Sequence, residues 1–261
     1  MKTLRLETDG RGVATLSLSR SEKHNAMSAE MIEDLQRAAE SLAADLDVRV
    51  VVLAGDGPTF CAGGDLRWME VMVKAAPAKR REGAIFLAKM LHTLNTLPKP
   101  VIGRCHGNAF GGGVGLLSVC DVAIGVGGKK LGLTETRLGL VPATIGPYVV
   151  ARMGEAKARR VFMSSRIFSS EEAVELNLLA RVVSEAQLNE AVEAEVAPYL
   201  ECAPGAVANA KALARRLGPV IDDAVIEMSA QTLVDQWEAG EAVKGIEAFF
   251  AKEKAPWASM R

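Results

Sequence analysis

Period-two alternation opens the chain. Leu4-Arg5-Leu6-Glu7 and Val13-Ala14-Thr15-Leu16-Ser17-Leu18-Ser19 each put apolar residues on one face and predict a strand pair around an Asp9-Gly10 turn. The spacing then becomes helical: Ser28 is a candidate N-cap for a helix whose Ile32, Leu35, Ala39, Leu42 and Leu46 share one face. The β-branched run over residues 48–54, bounded by Gly55 and Gly57, predicts a buried strand. The same order recurs as a helix over residues 84–97 halted by Pro98 and Pro100, a strand over 101–105, a glycine-rich turn, a helix reaching Cys120 and a strand over 122–126. Alternating strands and helices through the first two-thirds of the chain indicate an α/β fold. From Ser170 onward Pro204, Gly218, Pro219, Gly240 and Gly245 punctuate helical segments, and only residues 180–183 read as a further strand. In this helical tail Leu233, Trp237, Ile246, Phe249 and Phe250 require a covering surface, either the core or a neighbouring subunit. Residues 74–82, which mix small residues, Pro77 and five charges without a period, read as a mobile loop.

Composition narrows the function. The 261 residues are 49% hydrophobic and carry a net charge of -1, enough for a substantial core and without the one-sided basic surface that nucleic acid or anionic membranes select. The uncharged stretch over residues 105–120 is too short and too rich in glycine for a membrane span of about 20 residues. The first residues match neither a signal peptide nor a transit peptide, so a cytoplasmic location is the expectation. Cys61, Cys105, Cys120 and Cys202 form no CxxC pair, and His24, His92 and His106 fall at unrelated spacings. Reduced, mostly buried thiols and no metal site are expected.

Glycine concentrates at two places, Phe60-Cys61-Ala62-Gly63-Gly64-Asp65-Leu66 after a predicted strand and Gly107-Asn108-Ala109-Phe110-Gly111-Gly112-Gly113 before a predicted helix. Residues without Cβ let a ligand approach backbone N–H groups, and the second run also stands at a helix N-terminus, where free amides favour negative charge. That is the makeup of an oxyanion hole; the plainer reading is tight turns and close helix packing. No G-x-G-x-x-G, P-loop or G-x-S-x-G pattern fits, which argues against dinucleotide, ATP and acyl-serine chemistry. A nucleophilic Cys61 is less common than a small buried one. Glu135 lies in the largely apolar Leu131-Gly132-Leu133-Thr134-Glu135-Thr136-Arg137-Leu138-Gly139-Leu140-Val141-Pro142, where desolvation would lift its pKa above the reference of about 4.3 and suit it to proton transfer. The alternative is a solvated acid paired with Arg137.

These motifs in this order, with Cys120-Asp121 between the second glycine run and Thr134-Glu135, resemble the successive signatures of the crotonase (enoyl-CoA hydratase/isomerase) family. The likeness extends to Lys23-His24-Asn25-Ala26-Met27, Arg152-Met153-Gly154 and the ending Phe249-Phe250-Ala251-Lys252-Glu253-Lys254-Ala255-Pro256-Trp257. It implies an α/β spiral of repeated ββα units over residues 1–199, carrying the coenzyme A site and the oxyanion hole, and a helical oligomerisation region over 200–261. A homotrimer or dimer of trimers is implied, with an acyl-CoA thioester as substrate and coenzyme A as part of that substrate, not a separate cofactor. By motif position, the amides of Gly64 and Gly112 would hold the thioester oxygen and Glu135 would move protons. Lys23, Asn25 and Ala26, with Ala62, Gly64, Asp65, Leu66 and Arg67, would contact coenzyme A, Lys23 reaching a phosphate.

One departure stands out. Hydratases of this family typically carry two catalytic glutamates, and at the position of the first, two residues after the triple glycine, this chain has Gly115. A lone Glu135 suits a hydratase in which one carboxyl both orients water and relays its proton, and equally a Δ3,Δ2-enoyl-CoA isomerase; a non-catalytic acyl-CoA-binding scaffold is a third reading. The runs 64–69, 107–116 and 142–149 are similar to the methylglutaconyl-CoA hydratase-like branch, which favours a hydratase of short or branched enoyl-CoA, with 3-methylglutaconyl-CoA as one candidate. A distal carboxylate would want a cation, for which Arg67 and Arg137 are candidates, and Ser118, Thr144 and Tyr148 are candidates to replace the absent carboxyl.

Overall fold

Strands β1 (Leu4–Thr8) and β2 (Val13–Leu18) form the expected antiparallel hairpin, with Leu4 opposite Leu18 and Thr8 opposite Ala14. The computed structural model describes residues 1–258. Helix α1 (Ala29–Ala44) starts where Ser28 Oγ accepts the Met31 N–H at 3.2 Å, and its buried face includes Ile32, Leu35, Ala39 and Leu42. Leu46 is not on that face: the helix stops at Ala44, Asp45 turns extended and accepts the Asp47 N–H, and Leu46 is 92% exposed. The chain continues through β3 (Val50–Gly55), β4 (Thr59–Cys61), α2 (Leu66–Lys74), α3 (Pro77–Thr96), β5 (Val101–Cys105), β6 (Asn108–Phe110), α4 (Gly112–Val119), β7 (Val122–Val126) and β8 (Lys130–Gly132). A short 3-10 turn (Glu135–Leu138) leads to α5 (Gly146–Met153), α6 (Glu155–Phe162), β9 (Ile167–Ser169), α7 (Ser170–Glu175) and β10 (Arg181–Val183).

The strands sort into two sheets. The larger has order β1-β2-β3-β5-β7-β10, parallel from β2 onward, and the smaller has order β4-β6-β8-β9, parallel except for β9. Each turn of the chain sends one strand to the larger sheet and the next to the smaller before a helix returns, as in β3-β4-α2, β5-β6-α4 and β7-β8-α5. This is the ββα spiral that the sequence resemblance implies. A core including Leu16, Leu35, Leu53, Met90, Leu94, Val101, Leu117 and Leu131 fills the spiral.

Residues 74–82 are not a loop. Only Ala75 and Ala76 separate α2 from α3, because Pro77 stands at the first turn of α3, where it lacks only an N–H that would have no intrahelical partner. Arg80 ties the two helices together by donating to the carbonyls of Met72 (2.9 Å) and Val73 (2.6 Å).

Helix α8 (Leu188–Leu200) packs Leu188, Val192 and Val196 on Val50, Ile102 and Ile124 of the larger sheet and runs continuously across the 199/200 boundary. After α9 (Pro204–Leu217), helices α10 (Asp223–Glu238) and α11 (Glu241–Ala251) fold back onto the same chain. Trp237, Ala242 and Ile246 close a cluster with Met72 and Leu140, and Leu233 packs against it, so these apolar residues find cover within the chain; Phe249 and Phe250 stay exposed. Two glycines permit the approach: a Cβ at Gly245 would fall 2.5 Å from the Leu138 carbonyl, and one at Gly139 (φ +68°) 2.5 Å from Glu241. Gln236 Nε2 donates to the Gly139 carbonyl at 2.9 Å. The last helices therefore brace the turn that carries Glu135. Replacing Gly245 by leucine should push α11 off this turn and lower stability by about 1–3 kcal/mol; an unchanged urea midpoint would contradict the contact.

Candidate active site

Three neighbouring strand ends build the site. In the smaller sheet Cys61 of β4 is in register with Ala109 of β6, and Ala109 with Leu131 of β8. Adjacent strands lie about 4.8 Å apart. Counting three residues onward from each registered position reaches Gly64, Gly112 and Thr134, and Glu135 follows Thr134. The parallel sheet thus delivers both glycine runs and the glutamate to one edge.

Local backbone then orients them. Met27 pairs with Gly64 as an isolated parallel bridge, its N–H donating to Gly63 O (2.7 Å) while its carbonyl accepts from Asp65 N–H (2.9 Å). The Gly64 N–H consequently faces the other way. Gly112 is the first residue of α4, so its N–H has no intrahelical acceptor. Neither amide donates to a backbone carbonyl among the described residues. Gly111 must be glycine: its φ is +48°, and a Cβ would sit 2.9 Å from Glu135 Oε1. Met27 Cε occupies the space of any side chain at Gly112, and Met69 Cε that at Gly64.

Gly64, Gly112 and Glu135 line one cleft, partly open to solvent. Its walls include Trp68, Leu87, Val141, Ile145, Leu233 and Trp237, the last two from α10. Arg80 lies over the Trp237 ring, 5.8 Å from its centroid, and so fixes this wall while capping α2. Glu135 Oε2 is shielded from solvent and has no hydrogen-bond partner among the described residues. Burial against these apolar groups outweighs the pull of the nearby Glu135 and Thr134 amides and lifts the carboxyl from 4.5 to about 7. The solvated Glu135–Arg137 pair is not formed: the Arg137 side chain is exposed, and its backbone N–H donates to Ser165 Oγ at 3.2 Å.

Arg67 and Arg137 both lie on the exposed surface and neither lines the cleft, which corrects the expectation of a cation in the acyl pocket. The position of the missing carboxyl is filled: a Cβ at Gly115 would lie 2.5 Å from Ile145 Cγ2. Burial pushes the Cys61 thiol up to about 12, which leaves it a packing residue and not a nucleophile.

The residues expected to hold coenzyme A gather on two joined loops. Ala62 N–H donates to His24 O at 3.0 Å and so joins the two segments; Lys23, Ala62 and the first two residues of α2, Leu66 and Arg67, are exposed, with Ala26 half-buried. Asn25 and Asp65 are turned inward. The Asn25 amide donates to the carbonyls of Asp56, Thr59 and Phe60 and accepts from Arg20 N–H, so its side chain builds the loop and is not free for a ligand. Asp65 caps α2 at Arg67 N–H and pairs with Arg20 at 3.0 Å. Sequence reasoning overlooked Arg20, which also donates to Ala26 O at 2.6 Å and pins the two loops together. It overlooked Arg80 as well, and it quoted Met27 and Ile145 only as parts of motifs without their packing against Gly112 and Gly115, which depends on contacts distant in sequence.

A model of the enoyl-CoA hydratase/isomerase family matches residues 8–260. The chain belongs to this family. A putative enoyl-CoA hydratase of Thermus thermophilus is 31% identical over 243 residues, which cover 92% of this chain and 95% of that protein. The mitochondrial methylglutaconyl-CoA hydratase of Mus musculus is 30% identical over 196 residues, 73% of this chain and 60% of that protein. The solved enoyl-CoA hydratase of Shewanella pealeana superposes with a TM-score of 0.80 at 32% identity, covering 98% of this chain and 96% of that one. A putative enoyl-CoA hydratase of Mycobacterium avium paratuberculosis gives 0.85 at 28% identity, covering 98% and 99%. Among the described residues no helix is long and apolar enough to cross a membrane.

The raised value of Glu135 has a consequence for stability. A buried carboxyl favoured in its neutral form stabilises the fold below its ordinary value of 4.5, and that contribution is lost as the pH rises through about 7. Glu135→Gln stays neutral throughout, so it should exceed the parent protein in stability at pH 8 by up to about 3 kcal/mol. The gap should narrow between pH 8 and pH 5, as read from urea midpoints at each pH.

Proposed function

We propose that this chain is an enoyl-CoA hydratase that adds water across C2=C3 of a short or branched, uncharged enoyl-CoA. The observation that carries this reading is the Glu135 carboxyl, whose Oε2 is shielded and unpartnered among the described residues, in an apolar cleft that it shares with Gly64 and Gly112. In the reaction, water oxygen bonds to C3 while the C2=C3 electrons move onto the thioester oxygen. The free amides of Gly64 and Gly112 meet the negative charge there; one donor of this kind is worth about 3 to 4 kcal/mol. Glu135, as carboxylate, takes the proton released by the attacking water and returns it to C2 as the enolate collapses, ending in its starting state. Lys23 and the backbone of Ala26, Ala62, Leu66 and Arg67 form the coenzyme A surface, and a homotrimer or dimer of trimers is the proposed assembly.

The uncharged acyl group follows from the lining. Among the described residues no lysine or arginine lines the cleft, so a distal carboxylate such as that of 3-methylglutaconyl-CoA would be desolvated beside an ionising Glu135. The single carboxyl also suits isomerisation of a 3-enoyl-CoA, in which one base removes a proton from C2 and returns it to C4.

With crotonyl-CoA, the conjugated-thioester absorbance should fall, Glu135→Gln should lower kcat at least about 100-fold, and kcat/KM should decline as the pH drops through 7. Crotonyl-CoA should be preferred over 3-methylglutaconyl-CoA. A rise in absorbance from 3-enoyl-CoA without loss from crotonyl-CoA would favour the isomerase, and stoichiometric binding without turnover the scaffold.

A further inference from the structure

Among the residues lining the cleft, only Glu135, Thr144, Trp68 and Trp237 carry a side-chain nitrogen or oxygen. The other two candidates for the missing carboxyl lie elsewhere: Ser118 donates to Val114 O at 2.8 Å and Tyr148 to Ala88 O at 3.1 Å, and neither lines the cleft. With so few polar groups to read an acyl chain, discrimination falls to size. The free space of the cleft is about 70 Å3. One water needs at least about 10–15 Å3 of such space, so the cleft holds roughly five groups of that size. A crotonyl group fits, and an octanoyl chain fits only if a wall moves.

Two walls could move. Trp68 and Met69 stand on α2, and Leu233 and Trp237 on α10. Of the nine residues of α2 only Met72 is buried, so packing along the helix does little to fix it and its ends must do so. At its start Asp65 accepts the Arg67 N–H at 2.9 Å and pairs with Arg20. At its end Arg80 donates to Met72 O (2.9 Å) and Val73 O (2.6 Å), carbonyls of a last turn that is short of intrahelical partners. The same guanidinium lies over the Trp237 ring, 5.8 Å from its centroid, and Trp237 and Met72 pack in one cluster. Arg80 therefore touches both walls at once without lining the cleft. Its neighbours Lys79 and Arg81 pair with Glu82 and Glu227 on the exposed surface, where such pairs contribute little.

We propose that Arg80 sets the acyl size this cleft accepts, by holding α2 and the Trp237 ring at a fixed separation. Its planar fork binds two carbonyls and a ring in one rigid relation, which a lysine cannot do. A chain longer than the free space must push the walls apart, and it then breaks the fork to Met72 and Val73 or slides Trp237 from beneath the guanidinium. A chain of crotonyl size disturbs neither. Arg80 never meets the acyl group and is a positioning residue. Its role rests on the hydratase reading for the substrate class, yet it concerns binding, so saturated acyl-CoA reports it without turnover.

The test measures binding of butyryl-CoA and octanoyl-CoA by calorimetry to the parent protein, Arg80→Met and Arg80→Lys. Methionine keeps an unbranched apolar stem and removes the guanidinium. The parent should bind butyryl-CoA the more tightly, and in Arg80→Met that preference should shrink at least about tenfold, mainly through tighter binding of octanoyl-CoA. A generally loosened fold would instead weaken both ligands together, and that result counts against the proposal. Arg80→Lys returns a cation to Trp237 without the fork and should recover only part of the preference. The ratio of kcat/KM for crotonyl-CoA over 2-octenoyl-CoA should fall in the same order, from parent through Arg80→Lys to Arg80→Met. An unchanged preference in Arg80→Met, or a parent that binds octanoyl-CoA as tightly as butyryl-CoA, would overturn the proposal. Should Arg80→Met not fold, a parental preference in Arg80→Lys overturns it equally. If the parent binds both ligands but hydrates neither enoyl-CoA, the hydratase reading fails, and the binding ratios still decide the role of Arg80.

Discussion

Everything at the site hangs on the parallel register of three three-residue strands. Cys61, Ala109 and Leu131 are locked side by side by the ladder, and each chain leaves the sheet in the same direction, so Gly64, Gly112 and Glu135 arrive at one edge although 71 residues separate the first from the last. The strands are too short to be stable alone. They hold because each follows a longer strand of the larger sheet within the same turn of the spiral, and because α4 presses on β4 closely enough that a Cβ at Gly113 would meet Cys61 O at 2.6 Å.

A shielded carboxyl with one oxygen left unpartnered is unfavourable for folding, and the surrounding structure shows how it is tolerated. The turn bearing Glu135 is braced from outside by α11 through Gly139 and Gly245, and from within by Gly111. Tertiary packing over-determines a position that the local sequence would not choose. The same packing gives the cleft its dielectric: Leu233 and Trp237 from the C-terminal helices complete the apolar wall. Residues 200–258 thus contribute to the chain's own site, and a reading of the tail as an oligomerisation region alone omits that role.

Where expectation and structure part, the cause is usually physical distance along the chain. Residues 74–82 looked irregular because Pro77 and the charges break any period, yet Pro77 is favourable at a helix start and Arg80 supplies acceptors with a donor from across the junction. Leu46 fitted the helical spacing, but Asp45 and Asp47 close a turn before it. The smaller sheet left no trace in the hydrophobic pattern, since three residues show no periodicity; its existence was implied only by the family resemblance. Asn25 and Asp65 were legible as special residues, and their inward hydrogen bonds were not.

The amino-acid order by itself determined the α/β alternation, the placement of the two glycine runs next to strand ends, the apolar setting of Glu135 and the loss of a second carboxyl at Gly115. These are local properties, set by side-chain period, by the absence of Cβ and by neighbours within a few residues. Only the tertiary structure decided that the two free amides and one carboxyl share a cleft, that Ile145 fills the space above Gly115, that Thr144 lines that cleft while Ser118 and Tyr148 do not, and that the arginines stay outside it. Those facts depend on contacts between segments far apart in sequence, and the energy of such a contact is not written in either segment alone.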